Sequence, residues 1–233
     1  QLVFITSSSK RAIEDYFDHS FELEHNLVEK GKRELLKEVQ AISSLAKFTY
    51  VRQPIPRGCG DAIMQAMHLV NNEPVAIMYG DDLVLSDTPA LSQLMQVYEQ
   101  NGSSVIALTE VAQKDLSQYG VVQLASDFDQ TSLSAPLKGL VEKPASPELA
   151  PSNLGVIGKY ILSPEIPQLL CQMAQLHNFE NGELRLANVL MEAIAQGHPV
   201  YGRQIVGERY DAGSVEGLLR ASLAVARQKG MQI

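Results

Sequence analysis

Short apolar segments alternate with helical segments through the first half of the 233-residue chain, and this alternation restricts the possible folds more than any other feature. The predicted strands are Leu2–Thr6, Phe48–Arg52, Pro74–Tyr79 and Ser103–Leu108, where β-branched and aromatic residues are frequent. The predicted helices are Lys10–Phe17, Glu22–Lys30, Lys32–Ile42, Asp61–Val70 and Ala90–Asn101. Strands that alternate with crossover helices favour a parallel sheet. We therefore predict an α/β fold with a mostly parallel sheet.

The pattern changes in the second half of the chain. The predicted strands here are Tyr119–Leu124, Leu140–Glu142 and Gly155–Leu162, and the polar segment Ser126–Lys138 is predicted to be a hairpin or a surface loop. Helices are predicted at Glu165–Gln175, Glu183–Gln196 and Ser214–Lys229, with a strand at Val200–Val206. Because no repeat or low-complexity linker interrupts the sequence, we treat residues 1–233 as one domain with a small β-rich insertion.

Composition argues against nucleic-acid and membrane partners and indicates the cellular compartment. A formal net charge of -8 argues against a broad nucleic-acid surface, and no apolar stretch is long enough to span a bilayer. We see no signal peptide, and Cys59 and Cys171 lack metal-ligand spacing, so we expect a cytoplasmic protein with reduced thiols and no membrane partner. Leu2–Thr6 reads as a buried strand without a lead-in, and we therefore expect the chain to be a fragment.

Two acidic motifs are candidates for a metal site. Gly80-Asp81-Asp82 directly follows a predicted strand, and ligands in open α/β sheets bind beyond the carboxyl ends of strands. Carboxylates at such a position can hold Mg²⁺, although an Asp pair that caps a turn explains the same motif. Asp211 lies between a predicted strand and a predicted helix, where alone it reads as a cap. Paired with Asp81, it becomes a second metal ligand.

The segment Gln53–Ala62 joins a predicted strand to a predicted helix and contains Gly58 and Gly60. Glycines allow the backbone to approach a ligand closely, and the Gln53 amide offers both a donor and an acceptor that match the edge of a pyrimidine. A plain tight turn is the alternative interpretation.

Glu142 and Lys143 stand side by side at a strand end that Pro144 interrupts. A carboxylate can accept hydrogen bonds from two sugar hydroxyls, and a lysine can neutralise a phosphate. An exposed charge pair is the alternative. Gly120, which follows Tyr119, can let a sugar ring approach the backbone or can form a simple turn.

Other kinds of chemistry find little support in the sequence. The five histidines have no metal-ligand spacing with each other or with the cysteines; they are His19, His25, His68, His177 and His198. The chain also contains no Gly-x-Ser-x-Gly elbow and no Cys-x-x-Cys motif, which argues against acyl transfer and thiol chemistry.

Taken in order along the chain, these motifs resemble the bacterial UDP-glucose pyrophosphorylases, which are UTP–glucose-1-phosphate uridylyltransferases. The resemblance covers nearly the whole chain, and "SFELE" together with "APSNL" is specific to this family among sugar nucleotidyltransferases. The matching segments are Ser7–Asp18 ("SSKxxIExHFD"), Ser20–Glu24 ("SFELE"), Val51–Gln53 with Gly58–Ala62 ("VRQ…GLGHA"), Gly80–Asp82, Tyr119–Val122 ("YGVV"), Val141–Pro144 ("VEKP"), Ala150–Leu154 ("APSNL"), Asn181–Leu186 (start of "GDEIQLTDAI") and Tyr210–Gly213.

The resemblance implies a Rossmann-like nucleotide-diphospho-sugar transferase fold and a reaction in which UTP and glucose 1-phosphate give UDP-glucose and pyrophosphate with Mg²⁺. It implies that the nucleotide is bound by Gln53, Gly58, Gly60 and Asp81. It also implies that the metal is bound by Asp81 and Asp211. Sugar binding falls to Gly120, Glu142 and Lys143, with Lys143 on the sugar phosphate as the catalytic residue. Positioning and charge neutralisation supply most of the catalysis in such a transfer. A homo-oligomer is possible on the same grounds.

The chain departs from the family pattern at several places. A Gly-rich "GxGTRxxPxTKxxPKEM" segment, which carries the triphosphate loop and an essential lysine, is not in the sequence, and the sequence stops before the family's last helix. We therefore expect these 233 residues alone to be inactive. Asp61 replaces the histidine of "GHA", and Ala187-Asn188 replace the Thr-Asp of "QLTDAI".

Two rival functions remain open from the sequence. The departures at Asp61 and Ala187-Asn188 suggest a catalytically weak paralogue that binds a sugar nucleotide and regulates a partner enzyme. A glycosyltransferase that uses Asp81-Asp82 as an Asp-x-Asp-like metal site is the other rival.

Overall fold

The computed structural model describes residues 1–176 and 182–232, which divide into two compact units. The first unit comprises residues 1–71 and 182–185, and the second comprises residues 72–176 and 186–232. The single-domain assignment stays a prediction. Among the described residues, no helix combines the length and the apolar character needed to cross a membrane.

The first unit is built around two parallel strands, in which Leu2 lies opposite Phe48. Its elements are β1 (Leu2–Thr6), α1 (Arg11–Phe17), α2 (Phe21–Glu29), α3 (Arg33–Ser43), β2 (Phe48–Arg52), α4 (Cys59–Gln65) and a 3-10 turn at Met67–Leu69. The rings of Phe4, Phe17 and Phe48 pack together, with the Phe17 centroid 4.9 Å from each of the other two. Through Phe17, this aromatic cluster packs α1 against the two strands, and its three rings are partly buried.

Ser7-Ser8-Ser9 precede α1 in the sequence, where serines commonly cap a helix, but they do not cap it here. The N-cap residue is Lys10, which makes no side-chain cap hydrogen bond, while the hydroxyls of Ser7 and Ser9 lie 3.2 Å apart. The helix that follows Ser214 does have a side-chain cap, because the Ser214 hydroxyl accepts a hydrogen bond from the backbone N–H of Gly217 at 3.0 Å.

The second unit contains a six-stranded sheet. Its strands are β3 (Val75–Met78), β5 (Ser104–Glu110), β6 (Gly120–Leu124), β7 (Ser134–Glu142), β8 (Leu154–Leu162) and β9 (Val200–Gln204), in the order β3-β8-β5-β9-β7-β6. A separate ribbon pairs β4 (Asp82–Leu85) with β10 (Glu208–Asp211). The helices are α5 (Ala90–Asn101), α6 (Glu165–Gln175), α7 (Leu186–Ala195) and α8 (Val215–Gln228), and 3-10 turns lie at Gln113–Gln118 and Pro147–Leu149.

The expectation of a mostly parallel sheet is wrong. Among the described strands of the six-stranded sheet, only the β5–β9 pair is parallel; β8 runs antiparallel to β3, β5 and β6, and β7 runs antiparallel to β6 and β9. The strands expected in a small insertion enter this same sheet and reverse the local strand direction. The α/β class is correct, and the sheet is mixed.

The core of this unit lies between α5 and the sheet. Leu94 and Val97 of α5 pack against Val105 and Ala107 of β5 and against Ile157 of β8, and all five side chains are buried. This packing anchors α5 on the central strands.

Strand β7 is longer than predicted, because it begins at Ser134 rather than Leu140. The polar segment Ser126–Lys138 therefore contains part of the strand, in which Pro136 lies opposite Tyr201 of β9 and its carbonyl accepts a hydrogen bond from Ala125 N–H at 2.8 Å. The turn before the strand is built by Asp129, whose Oδ1 accepts hydrogen bonds from the backbone N–H groups of Thr131 (3.0 Å) and Ser132 (2.7 Å).

Candidate active site

The β4–β10 ribbon brings together the two carboxylates that the sequence proposes as metal ligands. Asp82 lies opposite Asp211 across the ribbon, and the backbone N–H of Ala212 donates to the carbonyl of Asp81 at 2.7 Å. A Cβ atom built on Gly213 would lie 3.1 Å from Oδ1 of Asp211 and 3.2 Å from Oδ2 of Asp81. The carboxylates of Asp81 and Asp211 therefore flank the same point, and a side chain at residue 213 would fill the space between them.

Asp82 has a different role from Asp81. Its side chain is buried and accepts hydrogen bonds from the backbone N–H of Gly158 at 2.7 Å and from Nε of Arg209 at 2.8 Å. With both oxygens engaged by the protein, Asp82 braces the ribbon against β8 instead of presenting a free carboxylate.

Arg209 is a member of this site that sequence reasoning did not single out. Besides Asp82, its guanidinium donates to the hydroxyl of Tyr119 at 2.8 Å and lies 5.2 Å from the centre of that ring. Burial alone would lower the pKa of Arg209, but the hydrogen bonds to Asp82 and Tyr119 raise this pKa above its ordinary value. The permanent cation is a counter-charge for Asp82 and, at 3.5 Å, for Asp211.

Lys159 is a second missed residue. It is buried in β8, and its ammonium donates to the backbone carbonyl of Asp82. Burial lowers the pKa of Lys159, and the neighbouring Asp82 carboxylate opposes that shift. The sequence does carry a signal for this residue, because a lone lysine inside the apolar run Leu154–Leu162 needs a buried partner.

The predicted sugar-side residues also lie close together in the second unit. Gly120 on β6 is the register partner of Glu142 on β7, and a Cβ atom built on Gly120 would lie 2.9 Å from Oε2 of Glu142. A larger residue at position 120 would therefore displace the carboxylate.

Lys143 follows Glu142 directly, with its side chain exposed. Its backbone lies in the left-handed region at φ 46°, and its N–H donates to the carbonyl of Tyr119 at 3.0 Å. Such strained non-glycine positions are concentrated at functional sites.

The segment Gln53–Ala62, which the sequence predicts to contact a pyrimidine base and which is called the base-side loop below, belongs to the first unit. Nε2 of Gln53 donates to the carbonyl of Gly58 at 3.1 Å and to Oδ2 of Asp61 at 2.6 Å. The Gly58 backbone is left-handed at φ +91°, and the N–H of Gly60 donates to the carbonyl of Leu184 at 2.8 Å. A Cβ atom on either glycine would lie within 2.8 Å of that carbonyl, so the glycines are required by packing against the chain itself.

No group of three or more His, Cys, Asp or Glu side chains that could hold a metal occurs among the described residues. Ala187 and Asn188 lie in the first turn of α7. Asn181 and His177 lie outside the described residues.

Known proteins resemble this chain over most of its length. The sequence profile of the family described as nucleotidyl transferase matches residues 16–228. The UTP–glucose-1-phosphate uridylyltransferase YngB of Bacillus subtilis (strain 168) is 40% identical over 224 residues, which cover 96% of this chain and 73% of the relative. The chain belongs to the bacterial UTP–glucose-1-phosphate uridylyltransferase family. The family resemblance seen in the motifs is thereby confirmed.

Solved structures of this family confirm the Rossmann-like nucleotidyltransferase fold. An apo UDP-glucose pyrophosphorylase superposes with a TM-score of 0.85 at 37% identity, covering 97% of this chain and 81% of that chain. A UDP-glucose pyrophosphorylase complexed with UDP-glucose gives a TM-score of 0.80 at 35% identity, covering 97% and 80%. The mixed sheet described above is therefore the family's fold.

Proposed function

We propose that the protein forms UDP-glucose and pyrophosphate from UTP and glucose 1-phosphate. One observation carries the proposal: the β4–β10 ribbon places the carboxylates of Asp81 and Asp211 on either side of Gly213, within a chain of the uridylyltransferase family. The names of the relatives and of the solved structures supply the substrate and the product.

In the proposed reaction, a phosphate oxygen of glucose 1-phosphate attacks the α-phosphorus of UTP. The new bond joins that oxygen to the α-phosphorus, and the bond from the α-phosphorus to the bridging oxygen breaks, so that pyrophosphate leaves. The protein's task in such a transfer is to align the two phosphates and to offset their charge.

The donor set of the acidic pair suits a divalent cation. Two carboxylates are hard oxygen ligands, and Mg²⁺ takes one or two carboxylates together with phosphate oxygens and water. Asp81 and Asp211 would hold the ion, which when bound offsets negative charge on the phosphates. Arg209 and Lys159 keep the surrounding carboxylates and backbone in place through Asp82.

The sugar-side assignments follow from the pairing of β6 with β7. Glu142 can accept hydrogen bonds from glucose hydroxyls, and the absence of a side chain at Gly120 leaves room for this carboxylate, since a Cβ atom there would lie 2.9 Å from Oε2 of Glu142. Lys143, with its side chain in solvent, offers a positive charge to the sugar phosphate.

On the base side, we propose that Gln53 and the Gly58–Gly60 backbone contact uracil. Within the protein, Gly60 N–H is already bonded to Leu184, so the contacts with the base fall to the Gln53 amide and to the remaining backbone groups of the loop.

The first test is release of pyrophosphate from UTP and glucose 1-phosphate by the full-length protein in which this sequence occurs, with Mg²⁺ present. Asp81→Asn and Asp211→Asn each remove a negative ligand without changing side-chain volume, and we expect a loss of about 100-fold or more in kcat. Asp127→Asn, at an exposed loop position, is the matched control and should keep full activity. Activity of both site variants at the control level would refute the metal-binding assignment.

The rival functions are less well supported. The comparisons favour the enzyme over the regulatory paralogue, and Asp61 is turned inward onto Gln53. An Asp-x-Asp-like glycosyltransferase site is disfavoured because Asp82 is occupied by Arg209 and Gly158. A full-length protein that binds UDP-glucose but releases no pyrophosphate would restore the regulatory interpretation. A cytoplasmic location and a homo-oligomeric assembly stay predictions.

A further inference from the structure

Asp61 is a buried carboxylate in the base-side loop that the proposed reaction does not use. It is 4% exposed, and its two oxygens face two glutamine amides: Oδ2 accepts from Gln53 at 2.6 Å, and Oδ1 lies 3.5 Å from Nε2 of Gln65. A buried carboxylate is costly unless it is hydrogen-bonded, so its pairing with Gln53 points to a defined role.

The two contacts of Gln53 determine which way its amide faces. The carbonyl of Gly58 can only accept a hydrogen bond, so the amide atom 3.1 Å from it must be the nitrogen. This nitrogen carries two hydrogens, and the second is taken by Asp61 at 2.6 Å. Gln53 therefore has no donor left for a ligand, and its orientation follows from the chemistry of its partners.

The amide oxygen of Gln53 is the group that remains. Within residues 1–176 and 182–232, no donor bonds to Oε1 of Gln53, and no unpartnered side-chain oxygen is buried, so Oε1 is accessible to solvent. Toward a bound base, Gln53 can only accept a hydrogen bond.

We propose that Asp61 is a positioning residue that holds the Gln53 amide with its oxygen outward and thereby selects bases that carry an N3–H group. Uracil and thymine carry this imide N–H, whereas cytosine carries a bare N3 acceptor at the same place. A cytosine N3 facing Oε1 brings two acceptors together and leaves both without a hydrogen bond. The inference rests on the proposed contact between Gln53 and uracil.

The proposal also gives a physical meaning to one departure from the family pattern. Asp61 stands where the family pattern has a histidine, and the extra negative charge near a nucleotide would be unfavourable if it pointed at the phosphates. Its Oδ2 instead lies against Nε2 of Gln53. The carboxylate is used to orient a neutral side chain.

The test compares UTP with CTP as substrates of the full-length protein. The wild type should use CTP at least about tenfold less well in kcat/KM, which corresponds to one unmade hydrogen bond. Asp61→Asn keeps the volume but allows residue 61 to donate to Oε1 or to accept from Nε2, so Gln53 can face either way. The ratio of kcat/KM for CTP to that for UTP should rise about tenfold. The change should lie in KM for the nucleotide, with KM for glucose 1-phosphate unchanged.

Gln65→Ala is the matched control, because it removes the other neighbour of Asp61 without touching Gln53. Its CTP-to-UTP ratio should equal that of the wild type. Equal losses with both nucleotides in Asp61→Asn, or the same ratio in both variants, would mean that Asp61 is only structural. If Asp61→Asn does not fold, the wild type still decides, since equal use of CTP and UTP overturns the inference. A wild type without any UDP-glucose formation would instead reject the proposed function.

Discussion

The partly buried pair of Arg209 and Asp82 makes the stability of the second unit sensitive to loss of the Arg209 cation. The two side chains are 18% and 7% exposed, and they are joined by hydrogen bonds of 2.8 and 3.3 Å. We expect Arg209→Met to be strongly destabilising, because it leaves the Asp82 carboxylate buried without its cation.

The magnitude follows from what remains around Asp82. Removing one partner of a buried ion pair costs about 3–5 kcal/mol. The N–H of Gly158 and the ammonium of Lys159 still face Asp82, so the lower end, about 3 kcal/mol, is expected. For a chain of this size, that loss lowers the melting temperature by about 6–12 °C.

Urea unfolding followed by circular dichroism measures this loss, and Arg220→Met provides the matched control. Arg220 pairs with Glu216 one helical turn away, but both side chains are more than two-thirds exposed, at 71% and 74%. Such exposed pairs contribute about 0–1 kcal/mol. In a double-mutant cycle, Asp82→Asn should recover much of the cost of Arg209→Met. A loss for Arg209→Met no larger than that for Arg220→Met would refute the reasoning.

Three further predictions follow from single contacts. Gly158→Ala should lower the free energy of unfolding by about 1–3 kcal/mol, because the added Cβ atom would lie 2.6 Å from Cβ of Tyr79. Thermal unfolding measures this loss, and an unchanged melting temperature would contradict the prediction. Hydrogen bonds from the Ser132 N–H and hydroxyl lower the pKa of Asp129, so its contribution to stability is present above the ordinary value of 3.8 and is lost as pH falls through the lowered folded-state pKa. The wild type should therefore unfold at a higher denaturant concentration than Asp129→Asn at pH 7, and this difference in midpoint should be smaller at pH 3. The same difference at both pH values would contradict the prediction. Glu142→Gln should raise KM for glucose 1-phosphate about tenfold and leave KM for UTP unchanged, as measured by steady-state kinetics. A change in KM for UTP alone would contradict a sugar-binding role for Glu142.

Local sequence patterns predicted most elements well. The strands Leu2–Thr6 and Phe48–Arg52 and the helices Ala90–Asn101 and Glu165–Gln175 have the predicted bounds. The strands are short runs of apolar, β-branched and aromatic residues, and the helices carry an apolar stripe, so each signal lies within a few residues. Local information is sufficient for such elements because their backbone hydrogen bonds and their buried faces follow from the same short pattern.

The sequence missed β4 and β10, the strands that form the ribbon. Glu208–Asp211 is short and polar, and nothing in its pattern resembles a buried strand. It is held by pairing with Asp82–Leu85 and by the bond from Arg209 to Asp82, whose partners are 127 positions apart in the chain. Long-range contacts of this kind override weak local preference.

By itself, the sequence determined the α/β class, the family and the residue types of the candidate site. The motifs and their order along the chain pointed to Asp81 and Asp211 for the metal, Glu142 for the sugar and Gln53 for the base, because only certain side chains can serve each of these roles. Only the tertiary structure decided that the sheet is mixed and that the Asp82 carboxylate is paired with Arg209. It also showed that Asp61 turns inward onto Gln53. The physical reason is that strand direction and hydrogen-bond partners are settled by groups distant in sequence, which compete for the same donors and acceptors only after the chain has folded.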